Sequence, residues 1–324
     1  MIASIRRMVT KDELVKGLNR AFSNDSNKVS GYLTWAKESG MSPLDILKQD
    51  NIQKFLIGHS KKGDREYSKY LFAKKVTCLF DNASFTIYKL LPSAKDKFER
   101  TDELFDISIY ENPSGNTDFC NYLTLDVKVC PTCYFASNSD SYFIGEGTYV
   151  DINGVIDKQD TEAVAADKLK RLKMVEGGVS TIFTPERSLQ DTITSYNLGI
   201  SSSLTLFSAN NRKNAIELAR IGNYAIKAAR ICQENDMKSE RDGWLKTAFE
   251  YLKKTFDADL KGALYYKSLY QLSALAIYFK EDLIASRCYE VLRGLVKKEP
   301  SRQLNIYSTR LRKVWQDKDD YRKK

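Results

Sequence analysis

The chain of 324 residues is long enough for two domains, and its 42% hydrophobic and 29% charged residues are ordinary for a globular protein. It contains no apolar run of about 18 residues, so we expect no transmembrane helix. No signal-peptide pattern follows Arg7, and we therefore expect a cytoplasmic protein. The single histidine, His59, removes most of the usual acid–base and triad chemistry, which argues against an enzyme.

The net charge of +9 is distributed unevenly along the chain. Residues 101–160 hold 11 acidic and 2 basic residues, whereas residues 1–100 carry a net charge of +8 and residues 161–324 a net charge of +10. These basic flanks support a hypothesis of RNA or DNA binding, in which Tyr307, Trp315 and Tyr321 would stack on bases. The simpler interpretation is a basic C-terminal helix that packs the rings of Tyr307 and Trp315 on its apolar face.

Residues 1–71 are predicted to form a helical N-terminal region. Thr10 is a suitable capping residue for a helix over 11–22. Ser42-Pro43 begins a second predicted helix over 43–57, with proline at the first helical position.

Between residues 72 and 160 the hydrophobic period changes to two, which is typical of half-buried strands. The predicted strands are Phe85-x-Ile87, Phe105-x-Ile107-x-Ile109 and Leu123-x-Leu125-x-Val127-x-Val129. Turn residues occur at 112–116, 145–147 and 152–154. The pattern predicts a small β-rich module.

From residue 161 to residue 324 the apolar spacing is helical, and short polar breaks divide it at 234–236, 257–259, 280–282 and 299–300. One predicted apolar face consists of Leu218, Ile221, Ala225, Ala228, Ala229 and Cys232. We expect antiparallel helices joined by short loops. The predicted fold class is therefore α+β, with domains at 1–71, 72–160 and 161–324.

The helical half resembles tetratricopeptide repeats. Leu272-Ser273-x-x-Ala276 followed by Ala285-x-x-x-Tyr289 has the small-then-aromatic spacing that allows two helices to cross closely. The resemblance implies stacked helix pairs with a concave face for a protein or peptide. A generic helical bundle is the alternative.

Cys130-Pro131-Thr132-Cys133 has the spacing with which two thiolates bind one tetrahedral ion from a tight turn. A closed structural site needs two further ligands. Cys78 and Cys120 would complete a four-thiolate zinc (Zn²⁺) site, and Asp81, three residues after Cys78, is an alternative ligand. Two other interpretations stay open: a reduced, metal-free knuckle held by packing, and a redox dithiol, for which the usual βαβ context is missing.

Three segments resemble a bacterial family that is known only as a domain of unknown function: Val76-Thr77-Cys78, Asp118-Phe119-Cys120 and Val129-Cys130-Pro131-Thr132-Cys133. The resemblance covers residues 72–316, and it implies two cysteine knuckles followed by tetratricopeptide-like helices. Asp81 replaces the second cysteine of the early knuckle, and Tyr134 replaces the glycine after the late one. The implied metal site would therefore be weakened or lost in this chain.

These patterns predict a non-enzymatic cytoplasmic adaptor or scaffold that binds a protein or peptide through its helices and contains a structural zinc knuckle. A nucleic-acid-binding protein is the alternative. Asp102, Glu103 and Asp106 are expected to be solvated at strand ends, because nothing in the sequence marks one of them as buried. Neither the partner nor the oligomeric state follows from the sequence.

Overall fold

The computed structural model describes residues 32–34, 36–37, 69–112, 115, 119–145, 156–175, 181–209, 214–256, 258, 260–299 and 301–321. The helices predicted over 11–22 and 43–57 and the turn predicted at 152–154 lie outside these residues. Small antiparallel sheets between residues 71 and 145 are followed by an array of helices, which confirms the α+β class. The three-domain division stays a prediction.

Three small sheets form the β-rich part. The largest has β1 (Leu71–Cys78) between β2 (Ser84–Leu90) and β7 (Phe143–Gly145). The other two pair β3 (Glu99–Asp102) with β4 (Ile107–Tyr110), and β5 (Lys128–Val129) with β6 (Ala136–Ser137). A short helix, α1 (Pro92–Phe98), connects β2 to β3 and begins with a proline, whose fixed φ suits the first helical turn.

The predicted strand over 123–129 is wrong in its first half. Tyr122–Leu125 is a 3₁₀ helix, and only Lys128–Val129 belongs to a strand. The Asn121 side chain accepts a hydrogen bond from the backbone N–H of Leu123 at 3.1 Å, which caps a helical turn. Leu123 and Leu125 are nevertheless buried, so the apolar pattern identified core residues although it did not identify the backbone conformation.

The helices of the second half follow the predicted apolar spacing, and the face predicted from Leu218 to Cys232 is buried. They are α2 (Lys158–Ala166), α3 (Lys168–Val175), α4 (Leu189–Ala209), α5 (Asn214–Glu234), α6 (Lys238–Phe256), α7 (Gly262–Tyr278), α8 (Asp282–Lys298), α9 (Arg302–Gln316) and α10 (Lys318–Tyr321). Among the described residues, no helix is long and apolar enough to cross a membrane. The assignment to tetratricopeptide repeats stays a prediction.

The turn between β3 and β4 lies against three helices of the array. The hydroxyl of Tyr270 in α7 donates a hydrogen bond to the carbonyl oxygen of Glu103. The amide of Gln271, also in α7, donates to the carbonyl oxygen of Phe105 at 2.8 Å. Arg230 of α5 lies 4.0 Å from the carboxylate of Asp102. The turn is therefore bound to the helices by hydrogen bonds to its backbone carbonyls and by an ion pair of its Asp102 side chain.

Asp106 provides the strongest charged contact of this turn. Its carboxylate accepts hydrogen bonds from Arg310 at 2.7 Å and Tyr307 at 2.9 Å, both in α9. Lys267 of α7 lies 3.6 Å away. The expectation that these carboxylates are merely solvated is therefore wrong for Asp102, whose side chain is 17% exposed, and for Asp106, whose side chain is 18% exposed. Its φ of +50° is one that aspartate tolerates better than most residues.

We expect Asp106→Asn to lower the free energy of unfolding by about 1–3 kcal/mol, because Arg310 and Lys267 would lose their shared counter-charge. Asparagine keeps the shape of the side chain and also tolerates a positive φ, so the substitution isolates the charge. Urea unfolding measures the effect. The control is Asp96→Asn, which removes an exposed carboxylate of α1. Equal stability of the two variants would contradict this account of the turn.

Candidate metal centre

The first half of the centre is the turn between β5 and β6. The N–H of Cys130 donates to the carbonyl oxygen of Phe135 at 2.9 Å, and the N–H of Tyr134 donates to the carbonyl oxygen of Cys130 at 3.0 Å. Tyr134 has a φ of +59°, in the left-handed region that favours glycine. The turn therefore keeps a glycine-like backbone at the position where the resembling family has glycine, although the residue here is tyrosine.

The second half is the turn between β1 and β2, and it repeats the same geometry. The N–H of Cys78 donates to the carbonyl oxygen of Ala83 at 2.9 Å, and the N–H of Asn82 donates to the carbonyl oxygen of Cys78 at 2.9 Å. Asn82 has a φ of +58°, which matches that of Tyr134 in the other turn. Superposing the two patterns makes Asp81 the equivalent of Cys133. Asp81 thus lies where the second cysteine of a knuckle would lie.

The two turns bring four ligating groups, Cys78, Asp81, Cys130 and Cys133, within 4.8 Å of one another. The sulfur atoms of Cys78 and Cys133 are 3.8 Å apart, and the sulfur of Cys130 lies 3.4 and 3.6 Å from the two carboxylate oxygens of Asp81. A tetrahedral zinc ion with Zn–S bonds of about 2.3 Å and a Zn–O bond of about 2.1 Å requires S–S separations of about 3.8 Å and S–O separations of about 3.6 Å. The observed distances fit such an ion.

Cys120, the fourth cysteine that we considered as a ligand, does not belong to this group. It is half-buried just before the 3₁₀ helix Tyr122–Leu125, within reach of the Thr124 side chain, and burial raises the pKa of its thiol to about 11. The structure therefore brings together three of the four predicted cysteines and adds the alternative ligand Asp81. Cys232 and Cys288 are buried in helices α5 and α8, as expected of core cysteines.

Hydrogen bonds among the thiols distribute their protons unevenly. Hydrogen bonds from Cys130 and Cys78 lower the pKa of Cys133 to about 5. The hydrogen bond between Cys130 and Cys133 raises the pKa of Cys130 to about 11. The hydrogen bond between Cys78 and Cys130 raises the pKa of Cys78. Burial raises the pKa of Asp81. Without a metal ion the cluster therefore holds protons that a bound cation would displace.

The centre is attached directly to the helices. The N–H of Ala136, in β6, donates to the hydroxyl of Ser202 in α4 at 2.9 Å. The hydroxyl of Tyr224 in α5 accepts a hydrogen bond from the N–H of Asn138 at 3.1 Å. Arg171 of α3 donates to the carbonyl oxygen of Cys133. No sequence pattern singled out Arg171, which lies among Lys168, Lys170 and Lys173 in α3.

A buried apolar cluster surrounds the thiols. Its members include Phe80, Phe85, Phe135, Tyr142, Phe143, Val164 and Leu206. The rings of Phe80 and Phe135 are 4.2 Å apart between centroids, and they come from the two ligand-bearing turns. A metal ion would therefore be bound in a largely apolar environment, where its bonds to charged ligands are stronger than in water.

A family model for an uncharacterised protein conserved in bacteria, DUF2225, matches residues 71–316. The match begins with β1 and ends with α9, and it includes both ligand-bearing turns. No curated protein and no solved structure matches the chain. The resemblance inferred from the three cysteine segments is thereby confirmed: the chain belongs to the DUF2225 family of bacterial proteins.

Proposed function

We propose that the protein is a non-enzymatic cytoplasmic adaptor in which one structural zinc ion joins the two turns of the β-rich part. Cys78, Asp81, Cys130 and Cys133 would hold the ion. The observation that carries this proposal is the repeated turn geometry, which aims a thiolate and a carboxylate from one turn at two thiolates from the other. Three thiolate ligands favour zinc over magnesium or calcium, and zinc also accepts a carboxylate.

A structural role is favoured over a catalytic one because four protein ligands fill a tetrahedral site and leave no position for a substrate or water. The three cysteines are buried. Bonds from one ion to both turns would connect residues more than 50 positions apart. The free energy of zinc binding would then contribute to the stability of the fold.

A small cleft beside β2 and β5 is lined by two cationic side chains, Lys128 and Arg187, that could act on a substrate if they were free. Lys128 donates to the carboxylate of Asp140 and to the carbonyl oxygen of Asn138. Arg187 donates to the carbonyl oxygen of Val127 at 2.7 Å. Both cations are engaged in contacts within the fold, which supports a non-enzymatic role.

The adaptor role rests on the helical array, since such arrays present long surfaces to proteins and peptides. The turn between β3 and β4 already contacts α5, α7 and α9. We therefore place the partner on the remaining surface of the array. For nucleic acid, the alternative partner, the basic flanks are the supporting feature. Tyr307 is 3% exposed and Trp315 packs against the core, which weighs against base stacking.

Protein purified under reducing conditions is expected to contain about one zinc ion per chain, which Cys130→Ser should abolish together with part of the thermal stability. Elemental mass spectrometry measures the metal content. Cys120→Ser is the matched control, because it removes a cysteine of the same β-rich part that lies outside the cluster. Zinc that is retained in Cys130→Ser, or lost in Cys120→Ser, would contradict the proposed ligand set.

Asp81 provides a second, independent test of the ligand set. We expect Asp81→Ala to weaken zinc binding by more than the roughly 10–100-fold that is typical for loss of a hydrogen-bond partner of a ligand. Asp81→Cys should strengthen binding, because it places a fourth thiolate at the equivalent of Cys133. Competition with a chromophoric chelator measures both affinities. An unchanged affinity of Asp81→Ala would exclude Asp81 as a ligand.

The partner class can be tested with the intact, zinc-loaded chain. The adaptor hypothesis predicts a protein that co-purifies in a fixed ratio when either member carries the affinity tag. The nucleic-acid hypothesis predicts instead a band shift on RNA or DNA that weakens steeply as salt is added. A protein partner in a fixed ratio, without a band shift at low salt, supports the adaptor hypothesis. A band shift at low salt without such a protein partner rejects it.

A further inference from the structure

Arg171 is fully buried, although it lies in a helix whose neighbouring lysines, Lys170 and Lys173, are exposed. Removing a guanidinium from water is unfavourable unless an opposite charge lies nearby. A fully buried arginine without an ion pair is therefore rare.

The hydrogen bonds of Arg171 go to neutral groups. Its Nε and Nη2 atoms donate to the carbonyl oxygen of Cys133 at 3.3 and 3.2 Å, and Nη2 also donates to the carbonyl oxygen of Val164 in α2. Its Nη1 atom is buried without a hydrogen-bond partner among the described residues. These contacts position the guanidinium, but they do not neutralise its charge.

The metal centre lies close enough to supply the opposite charge. The guanidinium contacts the carbonyl oxygen of Cys133 directly, and the groups whose negative charges would stabilise it are Cys133, Asp167, Cys130 and Cys78. Three of these four groups are proposed zinc ligands. The fourth, Asp167, accepts a hydrogen bond from the hydroxyl of Thr205 at 2.6 Å.

With zinc bound, the centre would carry the negative charge that the buried guanidinium of Arg171 requires. Three thiolates and one carboxylate carry four negative charges, of which a zinc ion neutralises two. Two negative charges then remain in an apolar environment, where uncompensated charge is unfavourable. A buried cation adjacent to the ligands lowers that penalty.

We propose that Arg171 is the cation that offsets one of the two remaining negative charges of the zinc-loaded centre, and that zinc binding thereby fixes α2 and α3 against the turn between β5 and β6. The inference rests on the proposed zinc site. Arg171 is a positioning residue, since it contacts the backbone of Cys133 and the end of α2 and would not bind the ion itself. Its two carbonyl contacts join the ligand-bearing turn to both helices.

A purely structural role for Arg171 predicts a different result from a charge-balancing role. If Arg171 acts only through packing and backbone hydrogen bonds, it stabilises the zinc-free and the zinc-loaded protein equally. Its loss then lowers both melting temperatures by the same amount. A balancing charge stabilises mainly the loaded form, in which all ligands are ionised. Its loss therefore reduces the affinity for zinc and the rise in melting temperature that zinc causes.

The test compares three variants of the full chain. Arg171→Gln removes the charge and keeps an N–H donor for the carbonyl of Cys133, Arg171→Lys keeps the charge, and Lys170→Gln removes an exposed neighbouring charge as the control. Competition with a chromophoric chelator should show zinc binding about 10–100-fold weaker in Arg171→Gln, with recovery in Arg171→Lys and no change in Lys170→Gln. The zinc-induced rise in melting temperature should fall in Arg171→Gln alone.

Arg171→Gln with the zinc affinity of the wild type would overturn the inference, as would an equal loss of melting temperature with and without zinc. If Arg171→Gln does not fold, amide hydrogen exchange on the wild type decides instead. Zinc should then protect residues 158–175 more strongly than residues 282–298 in α8, and equal protection would reject the inference. A wild-type chain that binds no zinc would reject the proposed function itself.

Discussion

The structure depends on two turns that share one hydrogen-bond pattern. In each, the first ligand's N–H and carbonyl close the turn, and a residue with a φ near +58° follows the second ligand. These local constraints set the direction of each ligand, whereas the pairing of β1 with β7 and of β5 with β6 sets how the turns meet. The candidate metal centre thus follows from backbone geometry, so its side chains would need little further ordering to bind an ion.

Several contacts hold the β-rich part to the helices, among them two that involve different turns of the β-rich part. At one, β6 and the residues after it bond to α4 and α5 through Ser202 and Tyr224. At the other, the turn between β3 and β4 bonds to α7 and α9 through Gln271 and Arg310. Because these contacts reach α4, α5, α7 and α9, the β-rich part connects helices that are distant in sequence.

The sequence predicted those features that depend on local spacing. The pair Cys130 and Cys133, the candidate Asp81 three residues after Cys78, and the apolar faces of the helices all follow from short-range patterns. Cys120 was a plausible ligand only because sequence spacing cannot show which residues of different strands meet. Asp106 was interpreted as a solvated charge because its partners Lys267 and Arg310 lie far away along the chain, and no sequence pattern singled out Arg171. The 3₁₀ helix at Tyr122–Leu125 was missed because a single side-chain bond from Asn121 decided the backbone there.

The two departures from the family pattern, Asp81 and Tyr134, keep a negatively charged ligand and a residue with a positive φ at the positions that require them. Asp81 has the same charge as a cysteine thiolate, so it preserves the negative charge that Arg171 would balance, while its harder oxygen makes a weaker ligand for zinc than sulfur. Tyr134 adopts the left-handed conformation at a cost of about 1–2 kcal/mol relative to glycine. Its fully buried ring offsets that cost, since burying a large side chain contributes about 1.5–3 kcal/mol. Asp81 would therefore weaken zinc binding relative to a fourth cysteine, whereas Tyr134 adopts the positive φ that the turn requires.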